Sequence, residues 1–294
     1  MLIDAHAHYH RPDELPARRG VRTLFCGTNP ETAAQVLALR GDGRLASCGL
    51  HPWQADRFTV ADMLPFIAQS AALGEIGLDS VWTDVDMDIQ RRAFTAQLDL
   101  AQRLGMPVIL HTKGMEAEIA DALLPYSMPK LVHWYSCGEH LEKYLAQDCW
   151  FTVGPDHATN PAVQAVLRSV PPDRIMTETD GLEAIAWALG RDVVPEEIKA
   201  VIEGELKAIA SVHGISVFEA EDRVEENFAR FMGLNSDLSR CRGLQKPSHL
   251  GECDQFSGAV SKSLPLGGEG GPRSGSEEVS TLGTVRLLRQ RNEA

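Results

Sequence analysis

The chain has 294 residues, of which 44% are hydrophobic and 23% charged, a composition typical of a globular protein with a large core. Its net charge of −13 argues against a broad basic surface for nucleic acid, and no apolar run reaches the length of a membrane helix. The N-terminus lacks signal-peptide features and the six cysteines contain no CxxC pair, so we expect a cytoplasmic protein with reduced thiols.

Short β-rich runs alternate with amphipathic segments through residue 233, which predicts βα units around a parallel sheet. We expect strands near residues 2–6, 21–27, 45–50, 73–78, 107–111, 130–134, 150–154 and 174–178. Helical patterns fall near 30–40, 59–71, 86–104, 115–125, 138–147, 161–169, 195–212 and 216–232. Eight strands in this length predict the α/β class and a (β/α)8 TIM barrel over residues 1–234.

Residues 235–294 differ in composition from the rest. They contain nine Gly and nine Ser, with a low-complexity run at 266–276, and too few large apolar residues to offset chain entropy. We therefore predict a low-complexity, disordered tail, with a pattern compatible with a short basic helix at 282–291. The tail has a net charge of +1, so residues 1–234 carry −14.

Potential metal-binding side chains follow apolar runs at five places in the predicted barrel. His6 and His8 are two residues apart, so on an extended strand both imidazoles point to one face. Glu75 lies between glycines, where a buried carboxylate requires a counter-charge such as a pair of bridged metals. Catalytic residues of parallel barrels come from the carboxyl ends of several strands. We predict that six ligands converge there on one or two divalent ions (Zn, Mg or Mn): His6, His8, Glu75, His111, His133 and Asp180.

The same residues suggest roles in hydrolysis. Glu75 would bridge the metals, and Asp180 would both bind a metal and accept a proton from the attacking water, with Glu178 as a rival base. His51 is a substrate or water contact, or else a structural histidine; Lys113 and Ser136 are candidate phosphate contacts. The alternative for the ligand set is a group of hydrogen-bonded core histidines and a buried salt bridge.

Four other polar residues have supporting interpretations. Asp4 lies on the face of His6, either as support for a ligand or as a structural acid, and Asp79 would hold a neighbouring group in place. Gln90 and Gln97, in the predicted helix 86–104, are interpreted as surface positions.

These motifs resemble the TatD-like hydrolases from residue 2 to about 234. The matching stretches are Asp4-x-His6-x-His8, Gly49-x-His51-Pro52, Gly74-Glu75-Ile76-Gly77-Leu78-Asp79, Pro107-Val108-Ile109-x-His111, His133-x-x-Ser136, Glu178-Thr179-Asp180 and Glu226-Asn227 through Phe231. The resemblance implies a metal-dependent TIM-barrel hydrolase of the amidohydrolase superfamily, commonly a deoxyribonuclease acting on DNA ends, with the six residues above as metal ligands.

The chain departs from the family pattern around the substrate. Lys113 replaces the usual Arg, Cys137 replaces a Gly, and residues 181–190 replace a Pro-rich loop that engages the substrate. We predict a monomeric deoxyribonuclease of the exonuclease type, with DNA as substrate and no membrane association. Two alternatives stay open: a small-molecule amide, lactone or phosphoester hydrolase, and a non-catalytic partner subunit that has kept the metal site.

Overall fold

The computed structural model describes residues 1–234, and the predictions for residues 235–294 lie outside the described residues. Its centre is one eight-stranded parallel sheet in which each strand neighbours the next in the chain. The strands are β1 (Leu2–Ala7), β2 (Val21–Gly27), β3 (Arg44–Cys48), β4 (Ala72–Asp79), β5 (Val108–Lys113), β6 (Lys130–Val132), β7 (Trp150–Val153) and β8 (Ile175–Thr177).

Helices surround the sheet, and most occupy the predicted positions. They are α1 (Glu14–Ala17), α2 (Pro30–Ala38), α3 (Val60–Ile67), α4 (Met87–Leu104), α5 (Glu116–Ala122), α6 (Leu141–Leu145), α7 (Pro161–Ser169), α8 (Leu182–Leu189), α9 (Ile198–His213) and α10 (Val217–Phe231). Short 3-10 turns lie at Pro52–Gln54 and Pro195–Glu197. In residues 1–234, no helix combines the length and the apolar character needed to cross a membrane.

The first and last strands meet and nearly close the barrel. The Thr177 hydroxyl donates to the Ile3 carbonyl at 2.5 Å, and the Asp180 N–H donates to the His6 carbonyl at 3.1 Å. The predicted TIM barrel is therefore confirmed. The segment after β8 is joined to the carboxyl end of β1 by the second of these hydrogen bonds.

Two strand ends differ from the prediction. β6 ends at Val132 and β8 at Thr177, so His133, Glu178 and Asp180 lie in the segments that follow the strands. Asp180 has a left-handed φ of 54°, which breaks the extended conformation before α8 begins. The helices α1 and α8 were not predicted, although Gly181 and Gly190 directly precede and follow α8, where glycines are compatible with helix ends.

The interpretation of Gln90 and Gln97 as surface residues is wrong, because both are fully buried on α4. The Gln97 amide accepts a hydrogen bond from the Leu50 N–H at 2.7 Å and donates to the Leu50 carbonyl at 3.0 Å. Gln90 accepts from the Asp79 N–H at 2.9 Å and donates to the Asp79 carbonyl at 3.0 Å. These amides pair backbone groups of the β3 and β4 ends, groups that would otherwise be buried without partners.

The contact between β4 and β5 depends on glycine. Gly77 pairs with His111 across the two strands, and a Cβ on Gly77 would lie 1.9 Å from the His111 carbonyl oxygen. No side chain fits in that space, so β5 comes close enough to β4 for His111 to reach Glu75.

Candidate metal centre

Glu75 lies at the middle of the centre, on β4, with only 1% of its surface exposed. Its Oε1 atom lies 2.8 Å from both His111 Nδ1 and His133 Nε2. Its Oε2 atom lies 3.2 Å from His8 Nε2 and 3.5 Å from His6 Nε2. The two oxygens of one carboxylate therefore face two different pairs of histidines.

Asp180 completes the side of the centre formed by β1. Its Oδ1 atom lies 3.1 Å from His6 Nε2 and 3.4 Å from His8 Nε2, so both imidazoles lie between two carboxylates. The structure thus brings together all six residues predicted as ligands, at the carboxyl ends of the strands. The rings of His6, on β1, and His133, directly after β6, have centroids only 4.3 Å apart.

Asp4 fixes the segment that carries Asp180. Its carboxylate accepts hydrogen bonds from the Thr179 N–H at 2.9 Å and the Thr179 hydroxyl at 2.7 Å, and from the buried Arg18 guanidinium. Of the two roles considered for Asp4, the contacts favour the structural one, since it ties the β8 end to β1. Gly181 allows the close approach: its φ is 94°, and a Cβ there would lie 2.6 Å from the His8 carbonyl oxygen.

Two of the histidines are oriented through their second ring nitrogen. His8 Nδ1 lies 3.3 Å from the Cys26 carbonyl oxygen, and His111 Nε2 lies 2.9 Å from Asp79 Oδ2. Metal-binding histidines commonly donate their other N–H to a carbonyl or a carboxylate, which leaves the first nitrogen free to bind. This contact gives Asp79 the holding function expected from the sequence.

The donor set fits a divalent metal. His6 Nε2 and Asp180 Oδ1 are close but form no well-aligned hydrogen bond, and neither His6 Nδ1 nor His133 Nδ1 has a hydrogen-bond partner among the described residues. Ligand atoms of His6, His133 and Asp180 all lie within 4.8 Å of one another, as do those of His51, Glu75 and His111. Imidazole nitrogens at this spacing suit zinc, and the carboxylate oxygens beside them also suit magnesium or manganese.

The electrostatics lead to the same conclusion. Burial acts to raise the pKa of Glu75, but the neighbouring His133 and His51 and a hydrogen bond from His111 hold that pKa well below its usual range. Burial acts to lower the pKa of His8, yet its hydrogen bond to Glu75 and the Asp180 charge raise the pKa to about 9. The carboxylates therefore require nearby positive charge, which protons on histidines or divalent cations can supply.

The two ring nitrogens of His51 have different surroundings. Its Nδ1 atom accepts a hydrogen bond from the Trp53 N–H at 3.2 Å, and its Nε2 atom lies 3.3 Å from Glu75 Oε1. Burial lowers the pKa of His51 to about 4, against the opposing effect of Glu75, so the ring is neutral near pH 7. A neutral ring with Nδ1 accepting carries its proton on Nε2, directed into the centre.

The two predicted phosphate contacts touch each other. The Lys113 ammonium, at the end of β5, donates to the Ser136 hydroxyl at 3.3 Å. The same ammonium lies 4.3 Å from the centroid of the Trp82 ring. Sequence reasoning had not singled out this tryptophan, because a lone aromatic residue in a loop has no periodic pattern to mark it.

A nearly closed (β/α)8 barrel with histidines and carboxylates at the carboxyl ends of its strands defines the class of metal-dependent hydrolases. The family model described as TatD related DNase matches residues 3–233. The chain belongs to this family.

Curated relatives carry related names. The chain is 30% identical over 188 residues to the 3'-5' ssDNA/RNA exonuclease TatD of Erwinia tasmaniensis, an alignment that covers 58% of this chain and 71% of the relative. It is 27% identical over 269 residues to the uncharacterized metal-dependent hydrolase YcfH of Escherichia coli, covering 83% of this chain and 99% of the relative.

Among solved structures, the TatD homologue YJJV of Escherichia coli superposes with a TM-score of 0.69 at 24% identity, covering 80% of this chain and 98% of that one. A TatD family hydrolase of Entamoeba histolytica gives a TM-score of 0.64 at 18% identity, covering 80% of this chain and 98% of that one. At these identities the structural likeness supports the shared barrel fold.

Proposed function

We propose that the chain is a deoxyribonuclease of the exonuclease type, which hydrolyses phosphodiester bonds at the ends of single-stranded DNA. The observation that carries the proposal is the position of Glu75, whose two oxygens face separate histidine pairs, so that these residues together would hold one or two divalent cations. The name of the TatD exonuclease relatives, about 30% identical, supports the substrate class.

In this proposal His6, His8, Glu75, His111, His133 and Asp180 hold one or two divalent ions, zinc, magnesium or manganese. When bound, such ions supply Lewis acidity and lower the pKa of water. Asp180, with 19% of its side chain exposed, accepts the proton of the attacking water. Glu178 is the weaker candidate, because it is fully buried and lies behind His133, 3.6 Å from that residue's Nδ1 atom.

The substrate contacts belong to the same proposal. His51 would donate its Nε2 proton toward the scissile phosphate or the water, and Lys113 and Ser136 would contact a phosphate. We also propose a monomer in the cytoplasm; the thiols of Cys26, Cys48, Cys137 and Cys149 are free, which suits a reducing compartment.

Substitution of the base tests the mechanism. Asp180→Asn keeps a ligating oxygen but cannot accept a proton, so we expect turnover to fall about 10²–10⁴-fold while metal stays bound. His6→Ala removes a ligand and should lose both metal and activity. Glu178→Gln is the control and should retain most activity. Turnover on single-stranded DNA and metal content per protein are measured with each of the three metals.

Two outcomes would contradict these assignments. Wild-type rates for Asp180→Asn with an inactive Glu178→Gln would transfer the base role to Glu178. Full activity in both variants would rule out the mechanism altogether.

A further inference from the structure

Four of the five tryptophans of the chain gather at the mouth of the barrel, each on a different segment that follows a strand. Trp53 follows β3, Trp82 follows β4, Trp134 follows β6 and Trp187 lies on α8, after β8. Their rings form a continuous row, with centroids 6.3 Å apart for Trp53 and Trp82, 6.2 Å for Trp82 and Trp187, and 5.8 Å for Trp187 and Trp134. We call this row the tryptophan wall.

The wall adjoins the metal centre. The His111 ring lies 6.2 Å from the Trp53 ring and 6.5 Å from the Trp82 ring, centroid to centroid. The Trp53 indole N–H also donates to Asp79 Oδ2, the carboxylate that contacts His111, at 2.6 Å. Trp53 and Trp82 therefore lie directly beside the metal centre.

The wall is open to solvent despite its apolar character. Trp82 is 45% exposed and Trp187 50% exposed, although large aromatic side chains are usually buried in a barrel of this size. The ring planes of neighbouring members meet at 73° to 80°, so each contact is edge-to-face and no two of the rings are stacked in parallel. Trp187 belongs to the segment that replaces the Pro-rich loop of the family pattern.

We propose that the tryptophan wall is a base-stacking surface for the unpaired nucleotides next to the scissile phosphate of a single strand. The inference rests on the proposed nuclease function and names how that site recognises its substrate. Indole rings stack on any base, and such stacking binds single strands without sequence preference.

The charge of the protein favours this mode of binding. Residues 1–234 carry −14, so phosphate attraction is limited to the bound metals and a few local cations and does not come from a broad basic surface. Lys113 contacts the wall, because its ammonium lies over one face of Trp82 while donating to Ser136. One phosphate at this ammonium, with bases along the indoles, gives affinity that depends on bases more than on salt.

The test compares two strands that have identical backbone linkages and differ only in whether they carry bases. One is a short oligothymidylate with phosphorothioate linkages, which resist hydrolysis; the other has the same linkages but abasic positions. Both carry a 5′ fluorescein, and fluorescence anisotropy gives Kd for the metal-loaded full chain. We expect the abasic strand to bind roughly tenfold or more weakly, the loss expected for one stacked base.

Variants then locate the effect. Trp187→Ala should weaken the oligothymidylate roughly tenfold and leave the abasic strand unchanged, and Trp187→Phe should restore most of the loss. Phe218→Ala is the matched control, because Phe218 is 66% exposed on α10, outside the wall, and should change neither strand. The slope of log K against log salt should correspond to one or two phosphates, about −0.7 for each.

Equal binding of the two strands by the wild-type protein would overturn the proposal, and so would equal weakening of both by Trp187→Ala or a steep salt slope. A separate assay of hydrolysis keeps the two proposals apart. If the protein binds bases through the wall but cuts no DNA, the nuclease function fails and the stacking surface stands. If it cuts both strands equally well with ordinary linkages, the nuclease function stands and the stacking surface fails.

Discussion

Replacing Gln97 with leucine tests how α4 supports the β3 end. The buried Gln97 amide accepts from the Leu50 N–H at 2.7 Å and donates to the Leu50 carbonyl at 3.0 Å. Leucine has a similar volume and no polar atom, so both backbone groups of Leu50, which is 2% exposed, lose these partners. Each buried unpaired group costs about 1–3 kcal/mol, and the apolar leucine offsets part of the total.

We therefore expect the free energy of unfolding to fall by about 2–4 kcal/mol, a large fraction of the total for a single domain. For a barrel of this size the melting temperature should drop by roughly 4–16 °C. Urea and thermal unfolding followed by circular dichroism measure both quantities. Because Leu50 precedes His51, the variant should also lose catalytic efficiency.

The matched control is Gln102→Leu on the same helix. Gln102 is exposed and accepts from the Ser127 N–H at 2.9 Å, where water can replace it, so we expect a change within about 0.5 kcal/mol. If Gln97→Leu is as stable as the wild type, or if the two variants lose the same stability, the amide does not hold the β3 end as argued.

Two further predictions concern the buried acids and the tail. Burial, with the charges of Asp4 and Glu178, raises the pKa of Glu205 well above its usual value, so the folded protein keeps a proton that the unfolded chain releases above about pH 4.3. The stability of the wild type therefore falls as pH rises, by up to about 1.4 kcal/mol per pH unit. Glu205→Gln, measured in EDTA, should be more stable than the wild type near pH 8, and the difference should shrink toward about pH 5. A variant less stable than the wild type near pH 8 would contradict the argument. Removal of residues 235–294 should leave the cooperative melt and the hydrolysis rate nearly unchanged, because the family match ends at residue 233; loss of either would show that the tail is needed.

The barrel could be predicted from the sequence because each strand is marked by a short local pattern of residues. Apolar runs such as residues 108–110, each followed by a polar ligand residue, mark both the strand and the end at which the site forms. Once eight such strands are arranged in a parallel barrel, the convergence of His6, Glu75 and Asp180 follows from the topology.

What the sequence did not predict depends on tertiary contacts. Gln90 and Gln97 look like surface residues of an amphipathic helix, and only the unpaired backbone at the ends of β3 and β4 gives them a buried function. The tryptophan wall is invisible for a related reason. Its members are scattered from residue 53 to residue 187, and only closure of the barrel brings their rings together.

The central claim is that the histidine and carboxylate centre holds divalent metal and hydrolyses phosphodiesters. The direct measurement is release of nucleotides from end-labelled single-stranded DNA by the full chain, first stripped of metal and then reloaded with Mg, Mn or Zn. We predict no release from the stripped protein, restored release with at least one metal, and none from reloaded His6→Ala. Equal hydrolysis without metal, or none with any of the three, would contradict the claim.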